Sequence, residues 1–428
     1  MTKPHSRYRW FVVFVFFLFV LLHQADRLLI GPLTTPIMES FGINEAQMGA
    51  VSSLAIIVSA LLFPLWGYLY DRFARARLLA LASFIWGSTT WLSALAPTYP
   101  TFLVTRASTG IDDSSYPGMY SLLSDYFGPS IRGRVYGLLQ VAQPFGFMLG
   151  TILATMLSQS LGWRSVFFIT GSAGILIALL ILVGVREPRR GQSEPELAGF
   201  EEIAAHRIDK QAAAGLVRNR SYLLLAAQGF FGVFPWQVLT FWFFRYLEAE
   251  RGYTSEEAMV TMLLSIVMLA AGYFLGGLIG DFAFQRTPRG RVLTSMVGVL
   301  AGAFFLVLTL SVPVDSRGLF LLPLALTSIT MSVAAPNVVA TIHDIAEPEI
   351  RGTAQAMLSF SENFGSALAP FLAGLIAVSY SLHLAILTIC VTAWVICAVL
   401  FGATALIIPR DVERLRQTMQ KRANEERA

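Results

Sequence analysis

Twelve stretches of about 20 or more mainly apolar residues follow one another along this chain, and they restrict its fold more than any other feature. An α-helix needs about 20 apolar residues to cross the roughly 30 Å hydrocarbon layer of a bilayer. The stretches therefore predict an all-α membrane protein with twelve transmembrane helices. They lie at about residues 10–33, 46–70, 78–96, 100–127, 133–157, 163–186, 221–246, 257–280, 292–311, 318–343, 352–378 and 383–408.

Composition excludes the main alternatives to a membrane protein. The 428 residues are 55% hydrophobic and only 14% charged, whereas soluble domains are about 45–50% apolar and about 25% charged. A disordered chain needs low hydrophobicity and high net charge, and this chain has a net charge of only +4. A charge this small does not predict a nucleic-acid partner.

The charged residues predict the division into domains and the orientation. One charged connection, 187–220, separates six predicted spans from six, so we expect helical bundles at 1–186 and 221–408 and a tail at 409–428. If the N-terminus is cytoplasmic, most of the 31 Lys and Arg residues lie on the cytoplasmic side. Basic residues are enriched in cytoplasmic loops. We therefore expect both termini in the cytoplasm and the chain in the inner membrane of the cell.

A repeat relates the two predicted bundles. Residues 125–157 align without gaps on residues 344–376, with matching Asp, Pro, Ile-Arg-Gly and Phe-Gly positions. Apolar bias alone does not place Asp, Pro, Arg and Gly at the same spacing twice. Two six-span halves in parallel orientation are a known transporter architecture, in which the substrate site lies between the halves near the bilayer midplane.

Two motifs resemble signatures of the major facilitator superfamily. The run from Gly67 to Arg75, Gly-Tyr-Leu-Tyr-Asp-Arg-Phe-Ala-Arg, resembles the signature between spans two and three, and Gly277-Leu-Ile-Gly-Asp281 repeats its first part. Arg106-Ala-Ser-Thr-Gly110 resembles the span-four signature. The resemblance implies the major facilitator fold, two pseudo-symmetric six-helix bundles, and transport by alternating access.

Charged residues at the predicted cytoplasmic ends of the spans are candidates for gating. In the superfamily such clusters close the cytoplasmic side and open during transport. The alternative is that they only set the orientation of the loops. The candidates are Asp71, Arg72, Arg75 and Asp125 in the first half and Asp281 and Asp344 in the second, where Arg286 is less well placed.

Six ionisable residues lie well inside predicted spans. Each costs about 2.5–3.5 kcal/mol at the centre of a span, so they are expected to face protein or water. Two arginines among four carboxylates leave at least two acids without a cationic partner in the membrane, and burial favours the protonated form of such an acid. An acid that is neutral in one conformation and ionised in another carries a proton. The six are Asp26, Arg27, Arg106, Asp112, Asp113 and Glu362.

We therefore hypothesise proton coupling through Asp26, Asp113 or Glu362, with Arg27 as the partner that switches and His23 as a possible relay. The alternative is a static ion-pair network that only holds the helices together. Arg106 is predicted to lie nearer the outer mouth. Asp112 and Asp113 are adjacent and point about 100° apart, so we expect at most one of them to head the polar face of span four.

Two subfamilies share the Asp26-Arg27 pair in span one. It resembles the spinster-type lipid transporters and, second, the anion–cation symporters. After Arg106, the run from Gly110 to Tyr116, Gly-Ile-Asp-Asp-Ser-Ser-Tyr, is similar to a spinster pattern in which a carboxylate occupies the position of Asp113. Asp112 and His23-Gln24 depart from that pattern. The resemblance implies an amphipathic lipid substrate such as a lysophospholipid. The alternative is a small organic anion, such as a sugar acid, taken up with protons.

Other classes of function have weaker support. The five histidines lack the spacing of metal ligands and no P-loop is present, so we expect no enzyme, no cofactor and no metal. A channel or scramblase remains a third alternative. The expected partners are the amphipathic or anionic substrate, protons and membrane lipid, and the expected state is a monomer.

Overall fold

The computed structural model describes residues 6–189 and 218–425, apart from 114, 128 and 347–350. It is 89% helical, and no strand occurs in those residues. The chain divides into two compact units, Met1–His206 and Arg207–Ala428. The predicted connection 187–220 lies mostly outside the described residues.

The first unit contains nine described helices. They are α1 Ser6–Leu28, α2 Thr34–Phe41, α3 Glu45–Arg72, α4 Arg75–Leu95, α5 Tyr99–Ser108, α6 Gly110–Asp113, α7 Tyr116–Tyr126, α8 Pro129–Leu161 and α9 Trp163–Gly184. Large apolar side chains fill the interior of this bundle, among them Phe16, Phe19, Trp86 and Phe127.

The second unit contains seven described helices. They are α10 Arg220–Ala249, α11 Ser255–Arg286, α12 Gly290–Ser311, α13 Arg317–Ser332, α14 Ala334–Ile345, α15 Arg351–Ser379 and α16 Leu382–Glu425. We expected a charged tail that begins at Pro409, directly after span twelve. Instead α16 continues through Pro409, and Ser221 donates a 2.5 Å hydrogen bond to Asp411 that ties the extension to α10.

Eleven stretches of described helix are long and apolar enough to cross a membrane. The twelfth expected crossing, span four, is present as three shorter helices, α5 to α7, so none of them reaches the required length alone. Eleven long spans and one broken span fit the predicted twelve-helix architecture.

The second span of each unit begins in the same way. Gly42 has φ 62°, and two residues later Asn44 starts α3 with a capping box. Gly252 has φ 65°, and two residues later Thr254 starts α11 with a capping box. Both glycines adopt the left-handed region that favours glycine. The repeat therefore extends to the turn that precedes spans two and eight.

Paired glycines also allow the same helix crossing in both units. A Cβ at Gly146 of α8 would lie 2.5 Å from the Leu21 carbonyl oxygen of α1. A Cβ at Gly365 of α15 would lie 2.0 Å from the Phe230 carbonyl oxygen of α10. These glycines are the repeated Phe-Gly positions of the sequence. They are required because only glycine lets the two backbones approach so closely.

Candidate functional site

Asp26 of α1 lies in the interior of the first unit and is held by three partners. Its side chain is 2% exposed. Thr170 donates a 2.6 Å hydrogen bond to one carboxylate oxygen, and Thr90 donates a 3.1 Å bond to the other. Arg106 Nη1 is 3.7 Å from Asp26 Oδ2. These contacts supply hydrogen bonds and one opposite charge, the two conditions that make a buried carboxylate tolerable.

The structure corrects the expected pairing of arginine with Asp26. Arg106, predicted nearer the outer mouth, is buried beside Asp26, with its guanidinium 5.2 Å from the centre of the Phe167 ring. Arg27 is exposed. Neighbouring residues of a helix point about 100° apart, so Asp26 and Arg27 cannot face the same side of α1.

His23 lies one turn before Asp26 and contacts both consecutive aspartates. Its Nε2 is 2.6 Å from Asp112 Oδ2 and 3.4 Å from Asp113 Oδ1. The imidazole stacks on Phe19 and meets Trp86 edge-on, with ring centres 5.7 and 5.2 Å apart. These aromatic rings limit the orientations open to the imidazole. We call His23, Asp112 and Asp113 the histidine cluster.

Asp112 and Asp113 are consecutive residues of the short helix α6, and both contact His23. We expected only one of them to head the polar face of span four, but directions about 100° apart still allow both to contact a side chain that lies between them. Span four is not one continuous helix, because α5 ends at Ser108 and α6 spans only Gly110–Asp113. A Cβ at Gly110 would lie 2.1 Å from the Ala55 carbonyl oxygen, so glycine is required where α6 packs on α3.

Two aromatic side chains of α3 compensate for this break. Trp66 donates a 2.5 Å hydrogen bond to the Ile111 carbonyl, and Tyr70 donates a 2.8 Å bond to the Ser115 carbonyl. Carbonyl groups at the end of a helix need such partners within a membrane. Trp66 and Tyr70 therefore hold the segment that carries both aspartates, and nothing in the sequence pattern identified them.

One ring nitrogen of His23 and one carboxylate oxygen from each of Asp112 and Asp113 lie within 4.8 Å of one another, close enough to bind one cation together. The 2.6 Å separation of His23 and Asp112 is the length of a hydrogen bond. The arrangement is therefore chemically suited to hold a proton between an imidazole and a carboxylate.

Glu362 lies in α15 of the second unit and lines a cavity of about 350 Å³. Apolar residues make up most of the wall, and the polar and aromatic members are Gln228, Trp236, Tyr273, Ser332, Gln355, Glu362 and Trp394. Gly229 leaves room for the glutamate, since a Cβ there would lie 3.2 Å from Glu362 Cγ. Of the aromatic residues in span seven, Trp236 lines this cavity, whereas Phe241 to Phe244 are buried.

The first charge cluster consists of Arg75, Asp125 and Glu187. Arg75 opens α4 and lies 2.6 Å from Asp125 and 2.8 Å from Glu187. Glu187 also accepts a 2.8 Å hydrogen bond from the Ala76 backbone N–H. The sequence prediction included Arg75 and Asp125 but missed Glu187, whose only signal was its place directly after span six. Arg72 is exposed, with its guanidinium over the Tyr68 ring, and the side chain of Asp71 lies outside the described residues.

The second charge cluster consists of Arg291, Asp281 and Asp344. Arg291 pairs with Asp281 at 2.7 Å and with Asp344. Arg291 was missed, and Arg286, the basic residue considered for this position, instead lies over the Phe282 ring. Arg291 could have been found from the repeat, because it lies at the start of span nine as Arg75 lies at the start of span three.

Residues 15–325 and 289–425 match the model of the Major Facilitator Superfamily. The chain is 27% identical over 391 residues to Protein spinster of Drosophila melanogaster, covering 89% of this chain and 64% of that protein. It therefore spans less than two thirds of the length of the fly protein.

Two other relatives have names that indicate a substrate. The probable galactarate/D-glucarate transporter GudP of Bacillus subtilis is 28% identical over 86% of this chain and 85% of its own length. The sphingosine-1-phosphate transporter SPNS2 of Danio rerio is 25% identical over 83% of this chain and 73% of its own length.

A solved structure has the same fold. It is a bacterial homolog of the human lysosomal transporter Spinster in an inward-facing, unoccupied conformation, with a TM-score of 0.80 and 20% identity. The alignment covers 97% of this chain and 99% of that one. The chain is thus similar to a spinster-like transporter in sequence and in fold, and it resembles membrane transporters rather than enzymes.

Proposed function

Because this chain belongs to the Major Facilitator Superfamily, we propose that this multi-pass membrane transporter is a proton-coupled carrier that moves an amphipathic lipid, such as a lysophospholipid, by alternating access. The observation that carries the proposal is the cavity of the second unit, whose wall is mostly apolar but contains the carboxylate of Glu362. An amphipathic molecule has both an apolar part and a polar part to match such a wall. The relative named as a sphingosine-1-phosphate transporter supports the same substrate class.

The proposed coupling site is the histidine cluster together with Asp26. Asp26 is held by Arg106, Thr90 and Thr170. Within the histidine cluster, Asp113 is more exposed than Asp112 and makes the longer contact with His23, so it is the less restrained of the two carboxylates. We assign the transported proton to Asp113, with His23 as relay. Protonation of Asp113 removes its charge and weakens its interaction with a protonated imidazole, which loosens this end of α6.

The two charge clusters are the proposed gates. Each fixes the start of one helix to acidic residues from elsewhere in the same unit, through Arg75 in the first and Arg291 in the second. Ion pairs of this kind have two discrete states, made and broken, which suits a switch between conformations. We propose that they lie on the cytoplasmic side, in a monomer of the inner membrane with both termini cytoplasmic.

A second candidate is uptake of a small organic anion. The exposed guanidinium of Arg27 is able to bind a carboxylate with two parallel hydrogen bonds, and GudP is a relative of nearly full length. The mostly apolar wall of the second-unit cavity disfavours a sugar acid, because such a molecule has no apolar part to match it. We therefore propose the amphipathic lipid as the substrate class and the organic anion as the alternative.

Transport into proteoliposomes tests the proposed function. We expect saturable uptake of a lysophospholipid that a pH gradient accelerates, and no comparable uptake of galactarate. Asp113→Asn is expected to abolish the acceleration by the pH gradient while the substrate still exchanges across the membrane. Asp315→Asn, which changes an exposed aspartate of the second unit, is the matched control and is expected to leave transport unchanged.

Each result has a clear consequence. Acceleration that persists in Asp113→Asn removes that residue from the coupling mechanism. Uptake of galactarate but not of lysophospholipid replaces the first substrate class by the second. Flux that does not saturate identifies a channel or scramblase instead of a carrier.

A further inference from the structure

The second-unit cavity contains a carboxyl group without a cationic partner among the described residues. The Glu362 carboxyl lines the cavity, and no described residue forms an ion pair with it. The other polar groups of the wall bring no cation, since they belong to glutamine, serine, tyrosine and tryptophan side chains. A buried carboxylate is stabilised by an opposite charge beside it, so this wall favours a positively charged occupant.

Two amide oxygens on the same wall have unused hydrogen-bonding capacity. Gln228 Oε1 and Gln355 Oε1 are buried, and neither has a hydrogen-bond partner among the described residues. Gln228 as a whole is 5% exposed, and its Nε2 contacts only the sulfur of Cys397, at 3.7 Å. Buried oxygens without donors are costly. Together with the Glu362 carboxyl, these oxygens are hydrogen-bond acceptors that line one cavity. A group with several N–H donors can form hydrogen bonds with them.

The aromatic residues of the cavity wall indicate which kind of cation the cavity favours. Trp236, Tyr273 and Trp394 line the cavity with Glu362. Aromatic faces attract organic cations, and tryptophan does so most strongly. A Ca²⁺ or Mg²⁺ ion is a poor match, because such ions need about six or more oxygen ligands in defined geometry and the wall offers one carboxylate.

We infer that the second-unit cavity binds the ammonium group of a zwitterionic or cationic amphiphile, with Glu362 as counter-charge and Gln228, Gln355 and Trp236 around it. This inference rests on the proposed function and deepens it, because it names the part of the headgroup that the transporter recognises. It assigns the cavity a preference for lipids that contain an amine over lipids of the same chain length that lack one.

The test compares two lysolipids with the same acyl chain. Lysophosphatidylethanolamine contains a primary ammonium group, and lysophosphatidylglycerol has the same phosphate without it. Binding to the purified full-length protein is measured by competition. We expect the ethanolamine lipid to bind at least about tenfold more tightly, as one charge-assisted interaction allows. Glu362→Gln is expected to reduce the preference to less than about twofold by weakening the ethanolamine lipid alone.

Two further variants keep the test decisive if Glu362→Gln folds poorly. Gln355→Leu removes an unpaired buried oxygen, so it is expected to reduce the preference without lowering the unfolding temperature. Glu256→Gln makes the same chemical change as Glu362→Gln but lies 13 residues before the cavity residue Leu269, about 20 Å along α11, and is expected to keep the preference.

The outcomes separate this inference from the proposed function. Equal binding of the two lipids by the unmodified protein, or an equal loss of both in Glu362→Gln, overturns the ammonium site and leaves lipid transport standing. Binding of galactarate and of neither lipid overturns both. A preference that falls in Glu362→Gln and in Gln355→Leu but not in Glu256→Gln supports the site.

Discussion

The buried charges of Asp26 and Arg106 are accompanied by groups that offset the cost of their burial. Asp26 has two hydroxyl donors and Arg106, and the Arg106 guanidinium also faces an aromatic ring. Removing water from an isolated charge costs several kcal/mol, and only a set of neighbours offsets it. The two threonines carry no signal in the sequence, since a hydroxyl in an apolar span usually bonds to its own helix.

The first prediction concerns the Asp26–Arg106 pair. Asp26→Asn leaves the buried arginine beside a neutral amide, and loss of one partner of a buried pair costs about 3–5 kcal/mol. We expect the free energy of unfolding in detergent to fall by about 3 kcal/mol, the lower end, because one threonine still donates to the amide oxygen and the hydroxyl oxygen of the other can accept from the amide N–H. Asp315→Asn is the exposed control.

A double variant checks that the loss comes from the unpaired charge. Asp26→Asn combined with Arg106→Gln removes both charges and is expected to recover more than half of the lost stability. An unchanged free energy of unfolding in the single variant would contradict an energetically coupled pair.

At the scale of elements, the packing of α6 on α3 decides where the aspartates lie. Both aspartates belong to α6, a helix of four residues, and both contact His23 of α1. The position of α6 depends on α3, which approaches Gly110 closely and donates hydrogen bonds from Trp66 and Tyr70. The position of the proposed coupling site is thus a property of packed elements.

The second prediction tests the close approach at Gly110. Gly110→Ala would place a methyl group 2.1 Å from the Ala55 carbonyl oxygen, so we expect a loss of about 1–3 kcal/mol in the free energy of unfolding. Gly277→Ala is the matched control, because a Cβ there meets nothing within 4 Å. It is expected to be neutral or to stabilise α11 by up to about 1 kcal/mol. Equal effects of the two substitutions on the free energy of unfolding would show that the close approach at Gly110 adds no cost of its own.

The third prediction tests the hydrogen bond from Tyr70 to Ser115. Tyr70→Phe keeps the ring and removes one of the two hydrogen bonds to the Ser115 carbonyl, the other coming from the Gly118 backbone N–H, and the loss of one net hydrogen bond costs about 0.5–1.5 kcal/mol. We expect lower stability and faster amide exchange across residues 115–120. Tyr68→Phe changes a half-exposed tyrosine on the same helix and serves as control. Similar exchange in both variants would argue against a role of Tyr70 in holding the break.

At the scale of the whole molecule, the two units repeat the same construction. Each has a left-handed glycine before its second span, a glycine at the same close helix crossing, and an arginine at the start of its third span that binds two acids. The acids differ in position, because Glu187 follows the sixth span of the first unit whereas Asp281 ends the second span of the other. The two charge clusters are therefore related but not identical.

The fourth prediction is that each charge cluster stabilises only the unit that contains it. The Ala76 amide is protected by a hydrogen bond to Glu187, so Glu187→Gln or Arg75→Gln is expected to speed its exchange with deuterium by about tenfold, the equivalent of one net hydrogen bond. Exchange at the start of α12 is expected to stay unchanged. Arg289→Gln, at an exposed arginine, is the control. A change in both units at once would contradict local action.

The sequence by itself determined the helical class, the number of spans, the repeat and the ionisable residues that carry the candidate site. These features depend on local pattern: a span is a run of about 20 apolar residues, and a charge inside one stands out wherever it faces. The tertiary structure decided that Asp26 pairs with Arg106 rather than Arg27, that both aspartates meet His23, and that Glu187 and Arg291 complete the charge clusters. Most of these contacts join different helices across long stretches of chain, and their geometry is set by helix packing, which no local pattern encodes.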